Sequence, residues 1–428
     1  MIGQLIEAER SKYLVNSHYD LIVIGAGAAG LMASIQAGER GLKVLLLEKG
    51  EKAGRKILIS GGGRCNITNN KYSEIKDFLQ NYPRGSKFLW GLFSKFNHID
   101  TINWFESHNL KTKTEEDGRV FPITDNSADV LNTLLKACQQ AKVEILYKQN
   151  VKDLLIKDQS VFGIVLQNET IIYARNILVS CGGMSYQKTG STGDAYEWAI
   201  KAGHKVIKAK PSLTGYLSPD AWIHNLKGLT LSNIKLSLYQ NSKKIAEHSG
   251  GLLFTHWGIT GPGIFKISSL AAGQDYNSDI YTLYLNLLPD LTREDLENLL
   301  KEKWKNNARK KVINCLEGIC LERLKNEILL QIGINTQKTL SEISKKELNQ
   351  IIESLMKLKI NITGIRPSGE EIVTAGGIEL NEINSNTMQS KIINGLYWAG
   401  EVLNIDGFTG GFNLQSAWTT GWIAGNSV

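Results

Sequence analysis

Three glycines in the run Gly25-Ala26-Gly27-Ala28-Ala29-Gly30 have the spacing of a turn that cradles a pyrophosphate. Gly25 permits the tight turn, Gly27 lets a phosphate approach the backbone, and Gly30 lets the following helix pack closely on a strand. The free N–H groups at the start of that helix, at Ala28 and Ala29, are placed to meet the phosphates. Glu48 stands eighteen positions past Gly30, where a carboxylate accepts hydrogen bonds from the adenosine ribose. No phosphate-binding arginine accompanies Glu48, which favours FAD or NAD over NADP. A second glycine-rich start, Asp406-Gly407-Phe408-Thr409-Gly410-Gly411-Phe412-Asn413, lies near the C-terminus. A helix opening there aims its positive end at the N1 and C2-carbonyl edge of an isoalloxazine and so points to FAD. The plainer reading of Gly410 and Gly411 is a turn before a terminal helix.

These residues need particular elements to hold them. Residues 19–24 read as a short apolar strand, 31–40 as a helix, and 43–47 as a second, parallel strand ending at Glu48. The segment Asn176-Ile177-Leu178-Val179-Ser180-Cys181-Gly182-Gly183 is a further buried strand running into glycines. Gly395-Leu396-Tyr397-Trp398-Ala399-Gly400-Glu401 gives a last strand and turn before the C-terminal helix. The two ends of the chain thus build one Rossmann-type domain. The insertion carries no second GxGxxG, so NAD(P)H as electron donor has to dock at the open flavin face.

Reduction by such a flavin passes a hydride to a polarised double bond, with an acid protonating the other carbon. Side chains able to act as the acid or to orient a substrate are Cys65, Arg64, Arg119, Tyr186, His256 and Thr260, with Cys65, His256 and Arg119 as the catalytic candidates. Cys65 follows three glycines, yet a small thiol there can equally fill space. His256 in its turn either faces the flavin or is a hydrogen-bonded structural histidine.

At 428 residues the chain is long enough for two or three domains. Its apolar runs are short and strand-like, and the first eighteen residues lack the apolar core of a secretory signal, so a cytoplasmic address without a membrane span is expected. Five cysteines without CxxC spacing and seven scattered histidines predict neither a disulfide framework nor a metal site. The net charge of +7 is unevenly placed: residues 199–365 hold 23 Lys and Arg against 15 Asp and Glu, and the rest 26 against 27. This surplus suggests an anionic partner or a solvated lysine-rich surface.

Ser60-Gly61-Gly62-Gly63-Arg64-Cys65-Asn66 with its flanks from Arg55 to Asn69, together with Gly400-Glu401 and Gly410-Gly411-Phe412-Asn413-Leu414-Gln415, resembles the BaiN/RdsA family of NAD(P)/FAD-dependent oxidoreductases. Gly118-Arg119-Val120-Phe121-Pro122 and the stretch from Phe254 to Pro262 extend the resemblance over Tyr19 to Gly425. Family members often carry Ala-Thr-Gly where this chain has Ser180-Cys181-Gly182. The resemblance implies FAD contacts from Lys49, Arg55, Ser60, Gly61, Gly62, Arg64, Cys65 and Asn66. It implies them also from Val151, Cys181, Gly182, Gly183, Gly400, Glu401, Asp406, Gly410, Gly411, Phe412, Asn413 and Leu414. The fold expected is α/β: a Rossmann-type FAD-binding domain over 19–198 and 376–428. Into it are inserted a β-rich subdomain over 199–290 and 359–375 and a helical subdomain over 291–358. Strand patterns at Ile234 to Leu238 and Ile280 to Leu287 agree with this, as do helical patterns through Leu296, Leu299, Leu300 and Trp304 and through Leu348, Ile351, Ile352 and Leu355.

Family members are linked to reduction of a uridine in large-subunit ribosomal RNA, reduction of unsaturated steroid-type ketones, and oxidation of aminoacetone. The basic insertion, with Lys301, Lys303, Lys305, Arg309, Lys310 and Lys311 around Glu302 and Trp304, favours an RNA partner, because phosphate contacts dominate RNA affinity. A small-molecule substrate or a non-enzymatic flavin-dependent RNA-binding role is the alternative.

Overall fold

The computed structural model describes residues 19–276, 278–366 and 372–428. The chain divides into two compact units, one from Met1–Pro211 with Ser368–Val428 and the other from Ser212–Pro367.

In the first unit the apolar strand Tyr19–Ile24 pairs in parallel with Val44–Leu47 on one side and with Ile171–Val179 on the other. Leu396–Trp398 lies parallel to the C-terminal half of Ile171–Val179, so the last strand of the chain joins the sheet begun by the first. Glu144–Leu146 extends the other edge in parallel, and Val151–Lys157 and Ser160–Leu166 add antiparallel strands. The register sets Ile24 level with Leu47 and Val179, and Val179 level with Trp398. Four strands therefore end together, and the chain leaves them at Gly25, Glu48, Ser180 and Ala399, on the edge where sheets of this type bind ligands.

The helix Ala28–Glu39 is buried along most of its length and packs against the C-terminal helix Phe412–Ser427. The approach is close because glycines line it: a Cβ on Gly421 would stand 2.3 Å from the carbonyl oxygen of Ala29, and one on Gly425 2.3 Å from that of Ala33. A small antiparallel sheet of Thr68–Asn69, Arg119–Pro122 and Thr112–Thr114 is tied to this helix, with the Trp418 indole N–H donating to the Ile67 carbonyl at 3.0 Å.

The second unit is built on a seven-stranded antiparallel sheet. Its longest pair, Thr230–Gln240 and Lys243–Phe254, shows the alternation of a half-buried strand, with Ile234, Leu236 and Leu238 pointing inward. The helices Arg293–Lys305 and Lys345–Met356 each begin with a capping box, Thr292 with Asp295 and Ser344 with Glu347. They bury Leu296, Leu300 and Trp304, and Leu348, Ile351, Ile352 and Leu355, in the same core as Leu236, Leu283 and Ile360. The helical and β-rich segments therefore share one core and form one unit. Leu299, expected on the buried face, is 42% exposed, because the buried stripe advances by four residues at each step. The expected limits at 199 and 376 fall inside the helix Asp194–Lys201 and the strand Val373–Ile378, which both belong to the first unit.

Among the described residues no helix is long and apolar enough to cross a membrane, and no group of His, Cys, Asp and Glu is arranged to hold a metal ion.

Candidate active site

The level ends of the four parallel strands collect the glycine motifs at one edge of the first unit. Gly25 has φ +101° and a Cβ there would sit 2.8 Å from the Ser180 carbonyl oxygen. A Cβ on Gly30 would collide with the Gly25 carbonyl oxygen at 2.0 Å, so only glycine fits where helix meets strand. Gly27 differs: no heavy atom lies within 4 Å of a Cβ built on it. Gly27 caps the helix Ala28–Glu39 without a side-chain hydrogen bond, and that helix has no acid in its first turn. Its N-terminal N–H groups are thus left facing open space, as a pyrophosphate requires.

Glu48 lies beside this turn, accepting hydrogen bonds from the N–H of Ala26 at 3.1 Å and of Gly50 at 2.7 Å. A carboxylate so oriented keeps lone pairs for ribose hydroxyls. Val151 opens its strand just after Gln149, whose N–H donates to the Glu48 carbonyl at 3.0 Å. Arg55 is exposed at the start of the short helix Arg55–Ile59 that leads into Ser60–Gly63. Gly62 and Gly63 have φ +70° and +88° and open space where a Cβ would stand. The C-terminal helix likewise starts at Gly410 and Gly411, with φ +125° and +97° and no side-chain cap, and Leu414 is partly buried in its first turn. Asn66 reaches this start, its amide oxygen accepting from the Gly411 N–H at 2.9 Å. Gly400, at φ +81°, faces Ala29, and its N–H donates to Thr420 Oγ1 at 3.0 Å. Two uncapped helix starts, an open glycine loop and an oriented carboxylate on one sheet edge fit FAD.

Several expected contacts are engaged elsewhere. Lys49 is held by Asp194 at 2.7 Å and by Thr192, and its charge keeps the Asp194 carboxyl below its usual range against the opposing effect of burial. Arg64 pairs with Glu115 and Asp125 at 2.6 Å each and lies 3.8 Å over the Phe121 ring. The fully buried Asp406 is gripped by Arg84 through both carboxylate oxygens. Asn413 folds back onto Gly407, accepting from its N–H at 2.8 Å and donating to its carbonyl at 2.7 Å, and so closes the glycine turn. Phe412 is buried among Tyr72, Phe78 and Tyr82, and the Tyr82 hydroxyl donates to its carbonyl at 2.6 Å.

Of the catalytic candidates, Cys65 is fully buried at φ +58°, its N–H donating to the Ser60 carbonyl at 3.0 Å, and burial pushes its thiol up to about 12. That backbone bond closes the glycine loop. Cys181 is likewise pushed up to about 12 by burial. Arg119 is partly buried and paired with Glu115 at 2.9 Å and Asp117 at 2.7 Å. His256 is exposed at the tight turn between Lys243–Phe254 and Gly258–Thr260 of the second unit, a turn that Thr255 closes onto the Gly258 carbonyl at 3.0 Å. Thr260 ends the second of those strands, partly buried. Tyr186 is partly buried in left-handed backbone, φ +50°. Ser180 donates to the carbonyls of Ile24 and Gly25 at 3.0 Å each, which fastens the glycine turn to the neighbouring strand.

Sequence reasoning missed Lys56, Ser185 and Thr374, which surround Glu401. Lys56 Nζ lies 2.7 Å from Glu401 Oε2. Oε1 accepts from Ser185 Oγ at 2.8 Å and from the Thr374 N–H at 2.9 Å. Burial would raise the Glu401 carboxyl, but Lys56 and these donors hold it below its usual range. Nothing local in the sequence pairs four residues this far apart; the signal was only that Lys56 precedes a glycine loop.

Comparison with known proteins places this geometry. The chain is 30% identical over 410 residues to a ribosomal RNA dihydrouridine synthase of Escherichia coli, covering 96% of this chain and 98% of that one. It is 28% identical over 409 residues to a 3-dehydro-bile acid delta(4,6)-reductase of Clostridium scindens, covering 95% and 98%. Among solved structures, a 3-ketosteroid-delta4-(5alpha)-dehydrogenase of Rhodococcus jostii shares the fold, with a TM-score of 0.54 at 14% identity over 96% of this chain and 97% of that one. Residues 19–427 match the family described as HI0933-like protein Rossmann domain, and the chain belongs to that family of flavin-dependent oxidoreductases.

Proposed function

We propose that the protein is an FAD-dependent reductase that draws electrons from NAD(P)H and converts a uridine of large-subunit ribosomal RNA to dihydrouridine. The observation that carries this reading is the nearly full-length likeness, at 30% identity, to a ribosomal RNA dihydrouridine synthase. The surplus of Lys and Arg in residues 199–365 supports it, because an RNA substrate is held chiefly through its phosphates.

When bound, FAD supplies the hydride chemistry. The first unit's residues do the holding: the backbone at Gly25 to Gly30 binds the pyrophosphate, Glu48 the ribose, and Ser60–Gly63 with Gly410 and Gly411 the flavin ring. Reduction of a uracil adds hydride at C6 and a proton at C5. Of the candidates for the proton, Cys65 is buried and Arg119 is held by two carboxylates, while His256 is an exposed imidazole of the second unit. We assign Arg119, in the first unit, a contact to the substrate. Lys303, Lys305, Arg309, Lys310 and Lys311 grip the backbone; Trp304 anchors its helix, its indole N–H donating to the Cys315 carbonyl at 2.9 Å.

Mass spectrometry of ribosomal RNA from cells with and without the gene tests the reading. One uridine heavier by two hydrogens only when the gene is present is the expected result. The likeness to the bile acid reductase favours a second reading, reduction of a small unsaturated ketone. Turnover of such ketones with unmodified ribosomal RNA in both strains would establish it.

A further inference from the structure

The short helix Arg55–Ile59 has only one buried residue, Ile57, yet it carries the open glycine loop Ser60–Gly63 at its end. One turn before that loop, Lys56 reaches away to Glu401 at 2.7 Å and to Ser185 Oγ at 3.0 Å. Thr374 Oγ1 completes the knot, accepting from the N–H of Met184 at 2.7 Å and of Ser185 at 3.0 Å. Four segments meet here: the helix before the glycine loop, the chain after Gly182, the strand Val373–Ile378, and the turn after Leu396–Trp398. The knot presses on the backbone of Gly183, where a Cβ would stand 2.5 Å from Thr374 Oγ1 and 3.3 Å from Glu401 Cγ.

A largely buried ion pair contributes little net stability, since desolvation offsets the attraction; what it does well is fix position, because removing one partner strands the other. A second observation marks the place as incomplete. Among the described residues the Tyr196 hydroxyl is buried without a hydrogen-bond partner, and burial together with the Glu401 charge raises its pKa. The protein thus holds an idle polar group within electrostatic reach of Glu401.

We propose that Lys56 is a positioning residue of the cofactor site: through Glu401 and Ser185 it ties the helix carrying Ser60–Gly63 to the chain after Gly182, so that FAD meets a preformed cradle. The proposal rests on the reading of this edge as the FAD site. Lys56 need not touch the cofactor; its effect passes through the carboxylate it neutralises.

The test is FAD binding, measured by quenching of flavin fluorescence on titration into apo-protein, alongside thermal melting of each apo variant. Lys56→Met should weaken binding by about tenfold or more, while Lys56→Arg, which keeps the charge, should stay within about threefold. Lys56→Met/Glu401→Gln removes the stranded charge and should bind more tightly than Lys56→Met but several-fold more weakly than wild type. Should Lys56→Met fail to fold, the double variant gives the same reading. Binding by Lys56→Met or by the double variant equal to that of wild type overturns the proposal. So does a double variant whose loss is the product of the losses of Lys56→Met and of Glu401→Gln, each measured alone. Wild type that takes up no FAD at all would instead overturn the cofactor reading beneath it.

Discussion

Glycine is required at Gly27 and Gly30 for different reasons, and the difference can be measured. Gly30 has the Gly25 carbonyl 2.0 Å from where its Cβ would be, whereas Gly27 has nothing within 4 Å and an extended φ of −87° that any residue adopts. Gly27→Val should therefore cost the apo-protein no more than about 1 kcal/mol, the scale of a helix-cap change. Its side chain enters the space in front of the free N–H groups, so FAD should be lost. Gly30→Ala should instead destabilise the fold itself by about 1 to 3 kcal/mol, since backbone has to move. Chemical denaturation of the apo-proteins and FAD content after gel filtration separate the two; a Gly27→Val protein that keeps its yellow colour would refute the pyrophosphate assignment. At this scale the glycine motif and Glu48 were legible because backbone geometry dictates residue type over a few positions. The fates of Arg64, Asp406 and Asn413 were not legible, because their partners Glu115, Arg84 and Gly407 can be identified only once the fold brings them within reach.

The elements of the first unit were readable where a period and a turn signal coincide. Ala28–Glu39 and Phe412–Ser427 follow their glycine starts, and the parallel strands are short apolar runs. What sequence does not display is that these two helices touch through Gly421 and Gly425 against Ala29 and Ala33, at 2.3 Å for each missing Cβ. Alanine is the better helix former by about 1 kcal/mol. Gly421→Ala should nevertheless lower stability by about 1 to 3 kcal/mol, as overpacking of a close approach does; an unchanged or raised denaturation midpoint would show that the helices are free to separate. In the second unit the capping box of Lys345–Met356 makes a pH prediction. Glu347 is held down to about 2 by Lys338 at 2.5 Å and by the Ser344 hydroxyl and N–H. Its folded pKa is depressed from 4.5, so its contribution is complete above that value and disappears as pH falls toward about 2. Glu347→Gln should melt below wild type at neutral pH, with the gap closing across that window. A gap constant with pH would mean that Glu347 acts by shape and not by charge.

For the whole molecule, the division of labour follows from where charge and glycine sit. The glycine motifs and the level strand ends all belong to the first unit, whereas the second unit, residues 212–367, holds 20 Lys and Arg against 15 Asp and Glu. That the helical and β-rich segments would share a single core was hidden, since composition changes from one to the other while burial does not. Within the basic stretch the structure sorts the cations. Lys301 pairs with Glu297 at 2.6 Å and Lys310 with Glu317 at 3.3 Å, which reduces their pull on an external anion. Lys311 is exposed and donates to Gln337 at 2.8 Å; of the remaining cations Lys305 and Arg309 are exposed and Lys303 partly so, which makes these three the strongest candidates for binding phosphates. Reversing them together to glutamate should weaken binding of a ribosomal RNA fragment. It should also flatten the dependence of log affinity on log salt by roughly 0.7 to 0.9 for each phosphate that the protein no longer neutralises. FAD content and anaerobic bleaching of the flavin by NADH or NADPH should be those of wild type, because the substituted positions lie outside the first unit. Uridine reduction in ribosomal RNA should fall with the binding. A triple variant that still reduces the uridine at the wild-type rate, with an unchanged salt slope, would remove this surface from the reaction and leave the small unsaturated ketone as the substrate class to pursue.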